Sequence, residues 1–159
     1  MPAEKKKCAW LTDDLGFDAA IDYKNESVYD GLRRHAPGGV DVYFDNVGGT
    51  ILDDVLSCLT IGARIVICGA ISGYNSTEPP PGPSRYLALL VNRASMSGFV
   101  VFDYLDRYED TQRHIASWLH SGALKTREEV VGGGIVDFGE SLNLLFSGNN
   151  RGKLLLAVN

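Results

Sequence analysis

The stretch formed by residues 40–75 places the strongest constraint on the fold of this chain. It contains two apolar runs, residues 40–46 and residues 63–69, and each becomes polar and glycine-rich at its carboxyl end. Between the runs, four apolar residues have the spacing of one helical face: Leu52, Val55, Leu56 and Leu59. Strand, helix and strand in this order form a βαβ unit of a parallel sheet, which binds ligands beyond the carboxyl ends of its strands. We therefore predict an α/β fold with a ligand site at these two strand ends.

The rest of the chain predicts further elements around this unit. Helices are expected over residues 5–15, 28–36, 86–91, 108–121 and 138–146, and strands over residues 19–23, 97–102, 129–131 and 153–158. Thr50, with Asp53 three residues later, resembles a capping box at the start of the central helix. The proline-rich residues 79–83 predict a stiff loop.

Composition excludes several classes of protein. The net charge of -5 argues against a nucleic-acid binder, which would carry a basic surface. No apolar run approaches the roughly 20 residues that span a bilayer. Three cysteines without close spacing fit a reducing cytoplasm better than a disulfide scaffold. We predict a cytoplasmic protein that binds neither membranes nor nucleic acid.

The common motifs of nucleotide and metal sites are missing or misplaced. No predicted strand is followed by G-x-G-x-x-G and a helix, and the P-loop-like residues 148–153 are one residue short and follow a helix. His35, His114 and His120 are far apart, and no Cys/His cluster has zinc spacing. We expect no bound metal and no covalent nucleophile.

A ligand rim remains at the two strand ends. Asn46 follows the first apolar run, and its amide can both donate and accept hydrogen bonds. Gly48 and Gly49 allow backbone to approach a ligand closely, although a simple tight turn would also explain them. Residues 68–75 repeat the same change from apolar to polar residues at the end of the neighbouring strand, and this repetition favours a binding site.

Four motifs, in this order, resemble a known family. They are residues 42–49 (VYFDNVGG), 67–75 (ICGAISGYN), 98–101 (GFVV) and 148–153 (GNNRGK). They are similar to the zinc-independent, NADPH-dependent double-bond reductases of the medium-chain dehydrogenase/reductase superfamily, which include prostaglandin, leukotriene, alkenal and curcumin reductases. The resemblance covers nearly the whole chain and implies only the C-terminal half of such an enzyme.

The resemblance implies an incomplete Rossmann-type, doubly wound parallel sheet. The first two strands and the glycine-rich loop between them are expected to be absent, together with a GroES-like substrate domain. Residues 1–122 would form the partial NADP-binding domain, and residues 123–159 a segment that packs on the substrate domain. The strand at residues 19–23 would then lack its neighbours, which leaves an open apolar edge. We interpret the chain as a fragment, a separately made domain or a truncated gene product. The alternative is a chain that closes the gap by re-pairing its strands or by exchanging strands with another copy.

The resemblance also implies roles for individual residues. Lys7 matches the lysine that meets the 2′-phosphate of NADPH, Tyr23 a tyrosine on the adenosine side, and Asn46 the asparagine near the nicotinamide ribose or diphosphate. The nicotinamide half would lie along a loop and a strand end, with one further contact near the C-terminus. These positions are Cys68, Gly69, Ala70, Ile71, Ser72, Gly73 and Tyr74 in the loop, Phe99, Val100 and Val101 at the strand end, and Asn150.

Tyr74 is the predicted catalytic residue. Enzymes of this family transfer a hydride to the β-carbon of an enone or enal, and negative charge gathers on the carbonyl oxygen. A neutral phenol at Tyr74 would donate a hydrogen bond to that oxygen, which is worth about 3 kcal/mol of barrier at such sites. A tyrosine that only holds substrate and ribose, or that caps a loop, is the alternative.

Two other interpretations remain open from the sequence. The chain could be catalytically inactive and serve as a cofactor-binding or dimerisation module, because the phosphate loop is missing and the family often pairs the strand near Phe99 with its copy in a homodimer. It could also be a different doubly wound fold, such as a methyltransferase, although that fold would not explain four ordered motifs.

Overall fold

The computed structural model of this chain describes residues 3–148 and 150–158. These residues form two compact units. One unit comprises residues 19–105, and the other combines the residues before Ala19 with those from Asp106 onward. The predicted domain boundary at residue 122 remains a prediction.

Helices and strands alternate along most of the chain. The helices are α1 (Ala3–Ala9), α2 (Val28–His35), α3 (Gly49–Leu56), α4 (Leu87–Asn92), α5 (Tyr108–Ser121) and α6 (Phe138–Ser147). The strands are β1 (Val40–Asp45), β2 (Leu59–Ile67), β3 (Ser95–Gly98), β4 (Glu128–Val131) and β5 (Lys153–Leu156). A π-helical turn follows α1 at Trp10–Asp14, and short 3-10 helices lie at Ile71–Gly73, Val101–Arg107 and Ile135–Asp137.

The unit of residues 19–105 is built on a parallel sheet. Its strands lie in the order β1, β2, β3, and both pairings are parallel. In the other unit, β4 and β5 form a two-stranded parallel sheet. The predicted α/β fold with a parallel sheet is confirmed. Within the described residues, no helix is both long and apolar enough to cross a bilayer.

One face of α3 supplies the core of the larger unit. Leu52, Val55 and Leu56 are buried on this face, and Leu56 packs with Ile65 of β2 and with half-buried side chains from β1, α4 and β3. The helical spacing in the sequence predicted this face correctly. Leu59 is the exception, because α3 ends at Leu56 and Leu59 begins β2.

The strand predicted over residues 19–23 is wrong. These residues belong to no strand, and their chain enters a turn at Tyr23. A strand needs a partner for its backbone N–H and C=O groups, and no described strand pairs with this segment. Ile21 instead packs against Gly31 of α2, where an added Cβ would lie only 2.8 Å from its side chain.

Two smaller predictions also need correction. β3 spans Ser95–Gly98 rather than residues 97–102, since the backbone leaves the sheet at Phe99 and enters a 3-10 helix at Val101. The capping box does not form, because α3 begins at Gly49 without a side-chain cap. Asp53 instead accepts hydrogen bonds from the hydroxyl of Ser84 and the backbone N–H of Arg85, at 2.8 Å and 3.0 Å.

The burial of Leu56 yields a stability prediction. Its side chain is fully buried, so we expect Leu56→Ala to lower the free energy of unfolding by about 2–5 kcal/mol through lost burial and a residual cavity. Urea unfolding of the chain, followed by far-ultraviolet circular dichroism, measures this change. Leu90→Ala on α4 is the control, because Leu90 is 75% exposed and should change the same quantity by less than about 0.5 kcal/mol. Equal losses for the two variants would contradict the packing described above.

Candidate functional site

The three parallel strands of the larger unit end at one edge of the sheet. Asp45 of β1 pairs with Ile67 of β2, and Ile67 pairs with Gly98 of β3. The residues that follow these ends, Asn46, Cys68 and Phe99, therefore leave the sheet side by side. This is the edge at which parallel α/β sheets bind their ligands.

Backbone hydrogen bonds join the first two strand ends into one surface. We call residues 45–49 and 68–74 the rim. The carbonyl of Asp45 accepts from the N–H groups of Cys68 and Gly69, at 2.8 Å and 3.1 Å. The carbonyl of Asn46 accepts from Ile71 N–H at 3.1 Å. Four predicted cofactor residues are thus held together by main-chain groups.

The bonding continues one residue further along each loop. The carbonyl of Val47 accepts from the N–H of Ser72 at 3.1 Å and from its hydroxyl at 2.6 Å. Gly48 and Gly49 have positive φ angles of 70° and 58°. An added Cβ on Gly49 would lie 3.0 Å from Ser72 Oγ, so the two loops approach as closely as glycine permits.

Tyr74 lies at the end of the second loop, directly after the 3-10 helix Ile71–Gly73. A Cβ placed on Gly69 would lie 3.3 Å from the Tyr74 hydroxyl and 3.6 Å from the carbonyl oxygen of Asn46. The phenol therefore lies across Gly69, beside the first strand end, and is 66% exposed. The structure brings Asn46 and Tyr74 to the same part of the rim.

Asp45 is a site residue that sequence reasoning missed. Its side chain is fully buried, and Oδ1 accepts hydrogen bonds from the Tyr43 hydroxyl, Val47 N–H and Gly48 N–H, at 2.9, 2.8 and 2.9 Å. Burial first, and then the hydrogen bond to Asp45 with its negative charge, raise the pKa of Tyr43 above its ordinary value. Tyr43 consequently remains a neutral donor to the carboxylate. The available signal was an aspartate that ends an apolar strand immediately before Asn-Val-Gly-Gly.

Tyr23 lies near the rim although its predicted strand is absent. It lines an open cavity of about 340 Å³ together with Val47, Gly48 and Ser72, and the first turn of α3 also contributes to the wall. Tyr23 itself is 60% exposed. The structure therefore places this predicted cofactor residue beside the glycine turn.

The third strand end presents an aromatic surface. Phe99 is half-buried, and its ring centre lies 5.9 Å from that of Phe44 on β1 and 6.1 Å from that of Tyr104. Val100 and Val101 are about half exposed. These contacts favour a packing role for the Phe99 ring, while the exposed segment after it stays accessible.

Lys7 and Asn150 lie in the other compact unit. Lys7 donates a hydrogen bond from Nζ to the carbonyl of Gly148, and Asn150 donates from Nδ2 to the carbonyl of Gly152 at 2.9 Å. Lys7 lines a cavity of about 220 Å³ with basic and apolar neighbours: Lys6, Trp10, Leu11, Arg127, Arg151 and Gly152. The guanidinium carbon of Arg127 lies 5.5 Å from the centre of the Trp10 ring.

Arg127 and Arg151 were not predicted as neighbours of Lys7. They are more than a hundred residues away from it in the sequence, and no motif signalled their approach. Among the residues described by the structure, no group of three or more His, Cys, Asp or Glu side chains is placed to hold a metal ion.

Comparison with known proteins agrees with this geometry. The model of the zinc-binding dehydrogenase family matches residues 3–119. The chain is 35% identical to the NADPH-dependent curcumin reductase of Escherichia coli K12, over 96% of this chain and 46% of that protein. It is 37% identical to the NADP(+)-dependent 2-alkenal reductase of Nicotiana tabacum, over 97% of this chain and 45% of that protein.

A solved structure gives the same picture. The crystal structure of CurA from Vibrio vulnificus in complex with NADPH has a TM-score of 0.87 and 38% identity, and the match covers 97% of this chain and 47% of CurA. The chain thus spans about half the length of the relatives it matches. The Rossmann-type fold and the family resemblance predicted from the sequence are confirmed. Because the family model covers most of its length, this chain belongs to the zinc-binding dehydrogenase family and is similar, within it, to NADP-dependent reductases.

Proposed function

We propose that the protein containing this chain is an NADPH-dependent oxidoreductase that reduces the C=C bond of α,β-unsaturated ketones and aldehydes. This chain would be its cofactor-binding half. The observation that carries the proposal is the rim, in which the ends of β1 and β2 are joined by hydrogen bonds and the Tyr74 hydroxyl lies across Gly69. The similarity to curcumin and 2-alkenal reductases supports the reaction class.

The rim residues fit a flat ligand such as a nicotinamide ribose. Glycines at positions 48, 49, 69 and 73 let the rim loops pack closely into one backbone surface, because an added Cβ at each would lie 3.0–3.3 Å from a neighbouring residue. Asn46 and Ser72 add polar side chains to the rim. Lys7, which lies next to Arg127 and Arg151 around one cavity, would meet the 2′-phosphate. When bound, NADPH supplies the hydride that is added to the β-carbon of the substrate.

Tyr74 would stabilise the charge that develops on the substrate. As the β-carbon gains a hydride, the electrons of the C=C bond move to the carbonyl oxygen, which becomes an enolate oxygen. A proton then adds to the α-carbon and restores the carbonyl group. A donor held toward that oxygen lowers the barrier, because the charge is larger in the transition state than in the ground state. Tyr74 follows a hydrogen-bonded 3-10 turn, and a Cβ placed on Gly73 of that turn would lie 3.3 Å from Pro80. The turn would fix the backbone from which the phenol projects before a substrate arrives.

We expect the whole protein to be a cytoplasmic homodimer. The three cysteines, Cys8, Cys58 and Cys68, form no disulfide, which is consistent with a reducing compartment. β3 is the last strand of its sheet, and the apolar side chains of Val100 and Phe102 after it are 55% and 69% exposed. A copy of β3 could pair there, as it often does in the family.

A second candidate function follows from the share of its relatives that the chain spans. A protein made only of this chain would lack the glycine-rich strand, turn and helix that hold the pyrophosphate in Rossmann folds. It would then act as a cofactor-binding or assembly module without turnover. Reductase activity separates the two candidates directly.

The role of Tyr74 is tested by substitution. In the chain joined to a full upstream half, we expect Tyr74→Phe to lower kcat for an alkenal by about 100-fold, because the ring remains and only the donor is lost. Stopped-flow absorbance of NADPH at saturating substrate measures this rate. Tyr86→Phe is the matched control, since Tyr86 is 60% exposed and lies outside the rim, and its rate should stay within about twofold of the unsubstituted enzyme. Absent turnover, or equal rates for the two variants, would contradict the proposal.

Cofactor binding by the chain alone is a separate prediction. We expect isothermal titration of the 159-residue chain with NADPH to give a dissociation constant above about 100 μM. The reason is that this chain carries no glycine-rich loop to bind the pyrophosphate. NADH in a parallel titration is the control for the 2′-phosphate contact at Lys7. A dissociation constant in the micromolar range would show that the residues of this chain suffice.

A further inference from the structure

Asp45 combines complete burial with a charge. Among the residues that the structure describes, it is the one polar or charged side chain that is buried. It lies on the face of β1 that packs on α3, where its neighbour Tyr43 contacts the core formed by Leu52, Leu56 and Ile65. An apolar residue would satisfy packing at this position without the desolvation of a carboxylate. Core stability alone therefore does not explain an aspartate here.

The hydrogen bonds of the carboxylate are concentrated on one oxygen. Oδ1 accepts from the Tyr43 hydroxyl and from two consecutive backbone N–H groups, those of Val47 and Gly48. Oδ2 is buried and receives no hydrogen bond from the described residues. The two backbone bonds close a turn around Asn46, so the side chain of Asp45 fixes the direction in which the chain leaves β1.

The same turn sets the position of the second loop. With Asp45 held in place, its carbonyl accepts from Cys68 and Gly69, and the next two carbonyls accept from Ile71 and Ser72. Every one of these bonds joins residues more than twenty positions apart in the chain. The carboxylate is thus connected, through backbone only, to the 3-10 turn that precedes Tyr74.

We infer that Asp45 is a positioning residue of the reductase site, whose buried carboxylate holds the first strand end so that the Asn46 turn and the loop carrying Tyr74 form one cofactor surface. It acts through the rim and does not itself contact the reacting atoms. This inference rests on the proposed function for its catalytic consequence. Its structural half concerns only the order of the rim and is measurable without any ligand.

The structural half is tested by amide hydrogen exchange of the chain. We expect Asp45→Ala to accelerate exchange at least about tenfold at the rim N–H groups of Val47, Gly48, Cys68, Gly69 and Ile71. The N–H groups within the β2 and β3 ladder should stay within about twofold of the unsubstituted chain. Asp45→Asn should give an intermediate rim effect, because one amide oxygen still accepts hydrogen bonds while the charge is lost. Uniform acceleration over the sheet and rim together, or no change at the rim, would overturn the inference.

Two further variants keep this test decisive. Asp41→Asn is the matched control on the same strand. Asp41 is exposed, lies outside the rim and accepts a hydrogen bond from Thr60 Oγ1 at 2.8 Å. Amide exchange at the rim should be unchanged in this variant. Tyr43→Phe removes one donor to Asp45 and leaves both backbone bonds, so its rim effect should be smaller than that of Asp45→Asn. If Asp45→Ala does not fold, the other three variants decide the question. The acceleration of rim amide exchange should then be largest for Asp45→Asn, smaller for Tyr43→Phe and absent for Asp41→Asn.

The catalytic half uses the chain joined to a full upstream half. We expect Asp45→Asn to raise KM for NADPH about tenfold. The measurement is made well below the melting temperature of the variant. A residue with a merely structural role would lower the active fraction and leave KM unchanged. Asp41→Asn should leave KM unchanged as well. If the unsubstituted protein reduces no alkenal while the exchange pattern holds, the proposed function fails and the role of Asp45 in ordering the rim stands. If the Asp45→Asn enzyme is active and its KM for NADPH is unchanged, the inference is overturned.

Discussion

The close pairing of two loops at the carboxyl edge of the sheet is the constraint on which the site depends. Parallel strands present their ends together, but nothing in a parallel ladder dictates how the chain continues beyond it. Here the continuation is fixed by a buried aspartate at the end of β1 and by carbonyls that accept bonds from the loop after β2. Loss of the hydrogen bonds to the Asp45 side chain would free the turn whose carbonyls hold the loop after β2.

The two faces of β1 have different roles: one packs on α3 and the other is exposed beside the rim. Side chains alternate along a strand, so Tyr43 and Asp45 lie on the side of α3, whereas Val42 and Phe44 lie on the other side and are more than half exposed. Phe44 contacts the ring of Phe99 beyond the end of β3. The inward face therefore anchors the rim, and the outward face supplies apolar surface next to it.

Periodic patterns in the sequence predicted the elements whose buried face is formed by residues close together in the chain. The helical spacing of Leu52, Val55 and Leu56 located α3, and the helix predicted over residues 108–121 is α5, which is followed by Gly122 with a φ angle of 75°. The segment at residues 19–23 failed because a strand depends on a neighbour that the local pattern cannot supply. Its Ile21 found packing on α2 instead, which satisfies the apolar side chain without a ladder.

The site was predictable only in part, for a related reason. Asn46 follows the end of β1 and Tyr74 lies in the loop after β2, and parallel topology brings the segments after these two strands together. Asp45 gave a weaker signal, because a single polar residue at the end of an apolar strand resembles any strand terminus until its burial is known. The approach of Arg127 and Arg151 to Lys7 depends on how distant segments pack, and no spacing in the chain encodes it.

A rim held by main-chain bonds also explains how the surface can persist while side chains change. The carbonyls of Asp45, Asn46 and Val47 accept hydrogen bonds whatever side chains these positions carry, so the loop after β2 keeps its register under substitution. Only a few positions resist exchange for physical reasons: the glycines with positive φ, and the aspartate whose carboxylate closes the turn.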